Sequence, residues 1–451
     1  MASVEKLLIA NRGEIACRII RTCRAMGIRT VAVYSEADRD ALHVRLADEA
    51  FEIGPPPVSQ SYLKIDTILD VMKRSGANAV HPGYGLLAEN AGFARAVEAA
   101  GYIWIGPAPE TIETMGDKER ARDLARRLKV PVTPGSGRIA PGEGLDRPAI
   151  DRDIGYPLLV KAAAGGGGIG MRIVGSEAEL DSQIETTQKL AERMFGDAAV
   201  FLERYIANAR HVEIQVFGFG NGEGVHLFDR DCSIQRRFQK IIEEAPAPSL
   251  PDEIREAMRR AALTLVRHQS YRGAGTVEFI YDCDRNTFYF LEMNTRIQVE
   301  HAVTERVTGT DLIRWQIEAA TGDLTGVPQQ GIRLGGHAIE CRIYAERPEK
   351  KFMPSPGVLE RLQLPDADID LRIDTGVTEG DRITPFYDPM IAKFIAYGAD
   401  RSAAIKRMRA ALEATEIIGP GNNIGFLLEV LDDPDFAAVN FTTAYVENRK
   451  S

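Results

Sequence analysis

The chain is poor in the residues that mark several classes of protein. Its five cysteines, Cys17, Cys23, Cys232, Cys283 and Cys341, are an odd number in 451 residues and show no CxxC spacing. That excludes a disulfide framework and a thiolate zinc site, and fits reduced intracellular thiols. Neither HExxH nor GxSxG occurs, so zinc hydrolysis and serine acyl transfer have no support. No apolar run approaches the ~20 residues that cross a bilayer. The stretch Leu7-Leu8-Ile9-Ala10 is too short for a signal-peptide core and runs into Asn11-Arg12. Positive charge is also in deficit: 55 Lys+Arg stand against 65 Asp+Glu, a net of -10. Bulk charge therefore does not suit nucleic acid as a partner. The expectation is a cytoplasmic globular protein with neither nucleic acid nor membrane as partner.

What is present is enough chain for about three domains at ~150 residues each. In the first hundred residues short apolar runs alternate with amphipathic segments. Strands are predicted at 6–10, 30–34 and 78–81, and helices at 14–26 and 62–75. That alternation predicts βαβ units and a doubly wound parallel sheet. The first strand leads into Asn11-Arg12-Gly13-Glu14 rather than GxGxxG, which argues against a dinucleotide site. A Pro/Gly-rich stretch at 130–144 reads as a break. Beyond it lie a small segment with the helix Glu177–Phe195 and a larger region with strands at 212–219, 275–281 and 287–293. The expected division is 1–129, 130–206 and 207–451: an α/β domain, a small lid, and an α+β region with a sheet-rich end.

Three patterns carry chemistry. An apolar strand ending at Lys161 meets Gly165-Gly166-Gly167-Gly168-Ile169-Gly170, and a second strand begins near Met171. Backbone without side chains can approach anionic oxygens, so a flap over a nucleotide triphosphate is favoured over a bare flexible turn. It is not a P-loop, because GxxxxGK[ST] is absent. Second, a hairpin centred on Arg285 would set Glu278 opposite Glu292 on one face, with Asn294 further along that face. Two opposed carboxylates among aromatics suit Mg²⁺ or Mn²⁺, the alternative being a solvated face with Arg or Lys partners. Third, Arg296, Gln298 and Glu300 recur at every second position. In extended chain they would line up a cation, an amide and a carboxylate able to hold a small oxyanion and take its proton, the alternative being a merely polar strand face. The cluster Gln235-Arg236-Arg237-Phe238-Gln239-Lys240 suits a phosphate contact or a salt-bridged loop equally. His81 and His211 each read, by sequence alone, as structural rather than catalytic.

Taken together, the glycine loop, the Glu–Glu–Asn set and the RxQxE strip resemble the ATP-grasp superfamily, and more narrowly biotin carboxylase. Further marks are Ala10-Asn11-Arg12-Gly13-Glu14-Ile15-Ala16, His81-Pro82-Gly83-Tyr84-Gly85, Met115-Gly116-Asp117-Lys118, His211-Val212-Glu213-Ile214-Gln215, Glu340-Cys341-Arg342-Ile343 and Pro354-Ser355-Pro356-Gly357. The resemblance implies an ATP-grasp ligase that makes carboxyphosphate from ATP and bicarbonate and carboxylates biotin on a carrier protein. By the same resemblance Lys118 and Lys161 contact ATP, Gly167 and Gly168 cover its phosphates, and Glu203, Arg204, Tyr205 and Ile206 meet adenine. His211 and Gln235 also contact the nucleotide. Glu278, Glu292 and Asn294 bind the metal. Lys240, Arg296, Gln298 and Val299 surround bicarbonate, Glu300 takes its proton, and Tyr84 and Arg342 lie by the biotin ureido ring. Two positions depart from the pattern: Ile169 stands where Arg or Lys is usual, and Phe238 where His is usual. No Met-Lys-Met-type carrier hairpin lies near residue 451, so a separate biotin carrier and carboxyltransferase are expected partners, with a homodimer implied by the family. The alternatives are another ATP-grasp ligase with an amine acceptor, or a nucleotide-binding regulatory paralogue.

Overall fold

Leu7, Leu8 and Ile9 of strand β1 (Lys6–Ile9) are all fully buried. Parallel strands demand this, because helices cover both faces and successive side chains meet protein on either side. Helix α1 (Gly13–Ala25) supplies one cover, with Ile15, Ile19, Ile20 and Cys23 turned inward. Strands β2 (Arg29–Tyr34), β3 (Glu49–Glu52), β4 (Ala79–His81) and β5 (Ile103–Trp104) complete a five-stranded sheet in the order β3-β2-β1-β4-β5. All of its pairings are parallel. The expected doubly wound sheet is present. The predicted helix at 62–75 begins later, at Ile65, because residues 58–60 form a short 3₁₀ turn first. It stops where Gly76 takes a left-handed conformation, φ +69°, which glycine adopts at little cost.

The structure is a computed structural model describing residues 3–163, 171–195, 197–237 and 239–449. A small three-stranded antiparallel sheet comes next, from β6 (Leu158–Ala162), β7 (Met171–Val174) and β8 (Val200–Arg204), ordered β7-β6-β8. The helix Glu177–Phe195, at the predicted bounds, packs on this sheet. Leu158, Val160, Val174, Leu180, Val200 and Leu202 form its own core.

The largest element is an eight-stranded sheet. It runs β13-β12-β9-β10-β11-β14 and continues through Met390–Gly398 to Leu371–Thr375. Here β9 is Ala209–Phe219, β10 Gly224–Arg236, β11 Gln239–Ala245, β12 Arg272–Asp282, β13 Thr287–Asn294 and β14 His337–Tyr344. Helix Asp252–His268 covers one face through Met258, Ala262, Leu265 and Val266. A separate cluster of buried side chains joins Leu7, Ile9 and Ile15 to Phe217, Phe219, Leu312 and Ile313, so the parallel sheet and the large sheet share a core. Each such side chain stabilises the fold by about 1.5–3 kcal/mol through removal from water. All five cysteines are free thiols. No helix among the described residues is long and apolar enough to cross a membrane.

Candidate active site

The hairpin β12–β13 builds the centre. Glu278 and Glu292 are directly opposed, as are Thr276 and Asn294, so the sequence-based register holds at the site. It slips by one immediately beyond: Phe279 faces Phe290, leaving Leu291 as the extra residue of a bulge. Phe279 and Phe290 pack edge to face in the core, which fixes the opposite side of the hairpin.

Lys240 enters from β11 and binds three carboxylates at once. Its Nζ donates to Glu213 Oε2 at 2.6 Å, Glu300 Oε1 at 2.7 Å and Glu278 Oε1 at 2.9 Å. Burial alone would raise the Glu278 carboxyl; the cations Lys240 and His211 beside it outweigh this and hold it far below the usual range. Glu300 is likewise held low against its burial by Lys240, Arg342 and Arg230. Lys240 itself is pushed well up, since its three carboxylates overcome a burial that would lower it. Two further amides complete Glu278: Asn294 Nδ2 at 2.9 Å and Gln298 Nε2 at 2.7 Å. Arg296 donates to Asn294 Oδ1 at 2.8 Å and to Glu89 Oε2 at 3.0 Å.

One expectation fails here. Arg296, Gln298 and Glu300 do not lie on extended chain: residues 295–300 bend and turn into the helix His301–Thr308, with Glu300 at its N-cap position. They converge because the turn brings Gln298 to Glu278 and Glu300 to Lys240 and Arg342, not because they alternate along a strand. Arg342 Nη2, from β14, reaches Glu300 Oε2 at 2.8 Å. The Val299 carbonyl accepts from buried Lys393, whose Nζ also lies 3.3 Å from Glu14 Oε1. Tyr84 donates to the other oxygen of Glu14 at 2.8 Å, which ties it to the same framework.

A second group lies on the small sheet. Lys161 is ion-paired with Glu203, and Arg122 Nη1 holds the other Glu203 oxygen at 2.8 Å. Arg204 is pinned by the carbonyls of Ile154 at 2.7 Å and Asp153 at 3.0 Å. The Tyr205 N–H bonds Pro157 O at 3.1 Å, and half-buried Ile206 follows. Lys118 starts a helix and places Nζ 3.3 Å from Glu292 Oε2. Gln235 pairs with Lys240 across β10–β11. The basic cluster divides: Arg236 is ion-paired with buried Glu346, whereas Lys240 serves the site. His211 Nε2 sits 3.0 Å from Glu278 Oε2 and so belongs to the site. His81 is structural, its Nδ1 accepting from Gly83 N–H at 3.0 Å, and burial lowers it to about 4. Gly167, Gly168, Ile169 and Phe238 lie outside the described residues.

Sequence reasoning missed Glu213 and Arg230 as site residues. Arg230 is fully buried and spends all five N–H donors, on Glu213, Gln215, Thr304, Thr276 and Gln298. The signal was available: His211, Glu213 and Gln215 occupy alternate positions of one strand. The opposed carboxylates are oxygen donors of the kind a hard divalent cation takes, while the Asn294 amide turns its nitrogen to Glu278 and its oxygen to Arg296.

Residues 3–112 match "Biotin carboxylase, N-terminal domain", 117–325 "Carbamoyl-phosphate synthase L chain, ATP binding domain", and 340–448 "Biotin carboxylase C-terminal domain". The biotin carboxylase of Halalkalibacterium halodurans is 51% identical over 444 residues, 98% of this chain and 97% of that one. The mitochondrial methylcrotonoyl-CoA carboxylase subunit alpha of Mus musculus is 49% identical; the match takes in 98% of this chain but only 62% of that longer protein. Among solved structures, the biotin carboxylase domain dimer of Hydrogenobacter thermophilus 2-oxoglutarate carboxylase, in complex with MgADP, ADP and bicarbonate, superposes with a TM-score of 0.90. It is 45% identical and covers 99% of this chain and 98% of its own. With half of its residues shared along nearly the full length of both chains, this protein belongs to the biotin carboxylase family.

Proposed function

We propose that the chain carboxylates biotin on a carrier protein at the expense of ATP and bicarbonate, with the residues above in the following roles. Lys118, Lys161 and the glycine loop bind the nucleotide phosphates, while the stretch from Glu203 to Ile206, with His211 and Gln235, holds the remainder of the nucleotide. Glu278, Glu292 and Asn294 would hold Mg²⁺ or Mn²⁺, which when bound offsets charge on the phosphate oxygens. Lys240, Arg296, Gln298 and the Val299 segment surround bicarbonate, and Glu300 takes its proton as the oxygen attacks the γ-phosphate. The bond to ADP breaks and carboxyphosphate forms. It decomposes to CO₂ and phosphate in a pocket that keeps water out. Phosphate then removes the N1 proton of biotin, and the ureido nitrogen attacks CO₂ while Arg342 stabilises charge on the ureido oxygen.

The observation that carries this reading is the convergence on Glu300. One oxygen meets Lys240 at 2.7 Å and the other Arg342 at 2.8 Å, so a single buried base joins the phosphate side to the biotin side. We also read the chain as three units, 1–129, 130–206 and 207–451, working in the cytoplasm. A homodimer served by a separate carrier and carboxyltransferase fits the relatives, one named as a subunit and one solved as a domain dimer. The decisive assay combines chain, MgATP, labelled bicarbonate and free biotin, with Glu300→Gln as control. Label should appear in carboxybiotin and be lost in the control. ADP release independent of bicarbonate but dependent on an amine would point to another ATP-grasp ligase. ATP binding without turnover, even with biotinylated carrier, would mark a regulatory paralogue.

A further inference from the structure

Behind Arg342 lies a pair of carboxyls to which no role has yet been given. Glu243 on β11 and Glu340 on β14 are directly opposed in register and both fully buried, so their side chains project to one face of adjacent strands. Glu243 Oε1 lies 2.6 Å from Arg342 Nη2, the same nitrogen that reaches Glu300. Yet none of the four oxygens of Glu243 and Glu340 has an aligned hydrogen bond among the described residues. Two ionised carboxylates cannot be held so without compensation, since each buried charge lacking hydrogen bonds costs several kcal/mol. The cations at hand are committed: Lys240 to Glu213, Glu278 and Glu300, and Lys393 to Val299 O and Glu14.

Resting on the biotin-carboxylating reading above, we infer that Glu243 and Glu340 are a positioning pair for the biotin half of the reaction. They share one proton, held on Glu340, and keep a single negative charge, on Glu243, that fixes the Arg342 guanidinium beside Glu300. Arg342 must meet charge that develops on the ureido oxygen, and a preset guanidinium does so without reorganising. A guanidinium held by Glu300 alone would lose its second anchor whenever Glu300 accepts a proton; Glu243 keeps it in place through that step. Burial raises both carboxyls, Glu243 to about 7 against the opposing pull of Arg342, and Glu340 well above its ordinary value against the pull of Lys393 and Arg342. The geometry assigns the charge, since Glu243 is the carboxyl that lies against the Arg342 guanidinium.

Two measurements on the full chain test the pair. The first is the ratio of biotin-dependent to biotin-independent, bicarbonate-driven ADP formation, with the KM for free biotin. In Glu243→Gln the ratio should fall at least roughly tenfold and the biotin KM rise, as expected for a lost contact that acts through Arg342. A ratio that stays put, whether both rates fall together or neither does, overturns the positioning role. The second is infrared spectroscopy at mildly alkaline pH. The parent should show the carbonyl stretch of a protonated carboxylic acid, and Glu340→Gln should lack it. Absence of the band from the parent, or its survival in Glu340→Gln, overturns the shared proton. The infrared result requires no turnover, so a parent chain that fails to carboxylate biotin would sink the functional reading while leaving the pair itself open to decision.

Discussion

Lys240 is the residue on which the site's electrostatics turn. Glu213, Glu278 and Glu300 are each at most 5% exposed, and this one ammonium lies within 2.9 Å of all three. Arg230 also holds Glu213, Arg342 reaches Glu300 and His211 lies beside Glu278, but Lys240 is the cation that bonds all three. Lys240→Met should therefore cost about 3–5 kcal/mol at neutral pH, the usual penalty for stripping a buried carboxylate of its partner. The pH dependence follows from the direction of the shifts. Lys240 holds Glu278 and Glu300 below their ordinary values, so its removal raises both and lets them take up protons. The loss should shrink as the pH drops toward about 5, where neutral acids replace stranded charges. Urea unfolding of parent and variant at the two pH values measures this. A penalty below about 1 kcal/mol, or one equal at both pH values, would show that the three carboxylates do not depend on this lysine.

At the scale of elements, the hairpin β12–β13 separates what the sequence discloses from what it withholds. Alternation and turn residues placed both strands and set Glu278 against Glu292, because period-two patterning specifies register where one face is buried. They could not reveal the bulge: Leu291 is a large apolar residue that looks like any other strand position, yet it is 39% exposed and unpaired. Residues 295–300 were equally opaque, since their turn is imposed by contacts with Lys240 and β14, both distant in sequence. Glu243 and Glu340 were hidden for the same reason, their pairing being a property of strand order. Deleting Leu291 tests the bulge. The pairs Glu278–Glu292 and Phe279–Phe290 would then fall on one regular ladder, so the core is retained and the extra local twist is lost. We expect far-ultraviolet circular dichroism to stay the same while Mn²⁺ affinity, read by titration calorimetry, falls at least about tenfold, since Glu292 is re-aimed. Unchanged affinity would mean that the bulge plays no part in orienting Glu278 and Glu292 toward the proposed metal.

Across the whole molecule, buried ion pairs join parts that lie far apart in sequence. Arg18 of α1 bonds Glu305 at 2.9 Å, Arg372 bonds the same carboxylate at 2.7 Å, and Arg21 meets Asp374 at 2.8 Å. Asp374 is 1% exposed and Glu305 5%. Burial would raise both carboxyls, but Arg18 and Arg372 hold Glu305 low, and Arg372, Lys393 and Arg21 hold Asp374 lower still. With Glu278 and Glu300 this makes four carboxyls that bind protons more weakly folded than unfolded. Their contribution is complete above the unfolded values, about 4–4.5, and disappears as the pH falls through the lower folded ones. Glu243 and Glu340 run the other way, being raised, so their contribution is complete below about 4.5 and fades as the pH climbs toward neutrality. The molecule should accordingly lose stability steeply on acidification below about pH 4.5 and only gradually above it. Because the carboxylates of Glu305 and Asp374 are buried, about 0.5 M salt at neutral pH should move the urea midpoint little, whereas fully exposed pairs would be screened. Urea titrations across the pH range, with and without salt, check both halves of the statement. Stability that rises on acidification, or that salt erodes as strongly as acid does, would show that the cohesion between these distant parts comes from apolar packing alone.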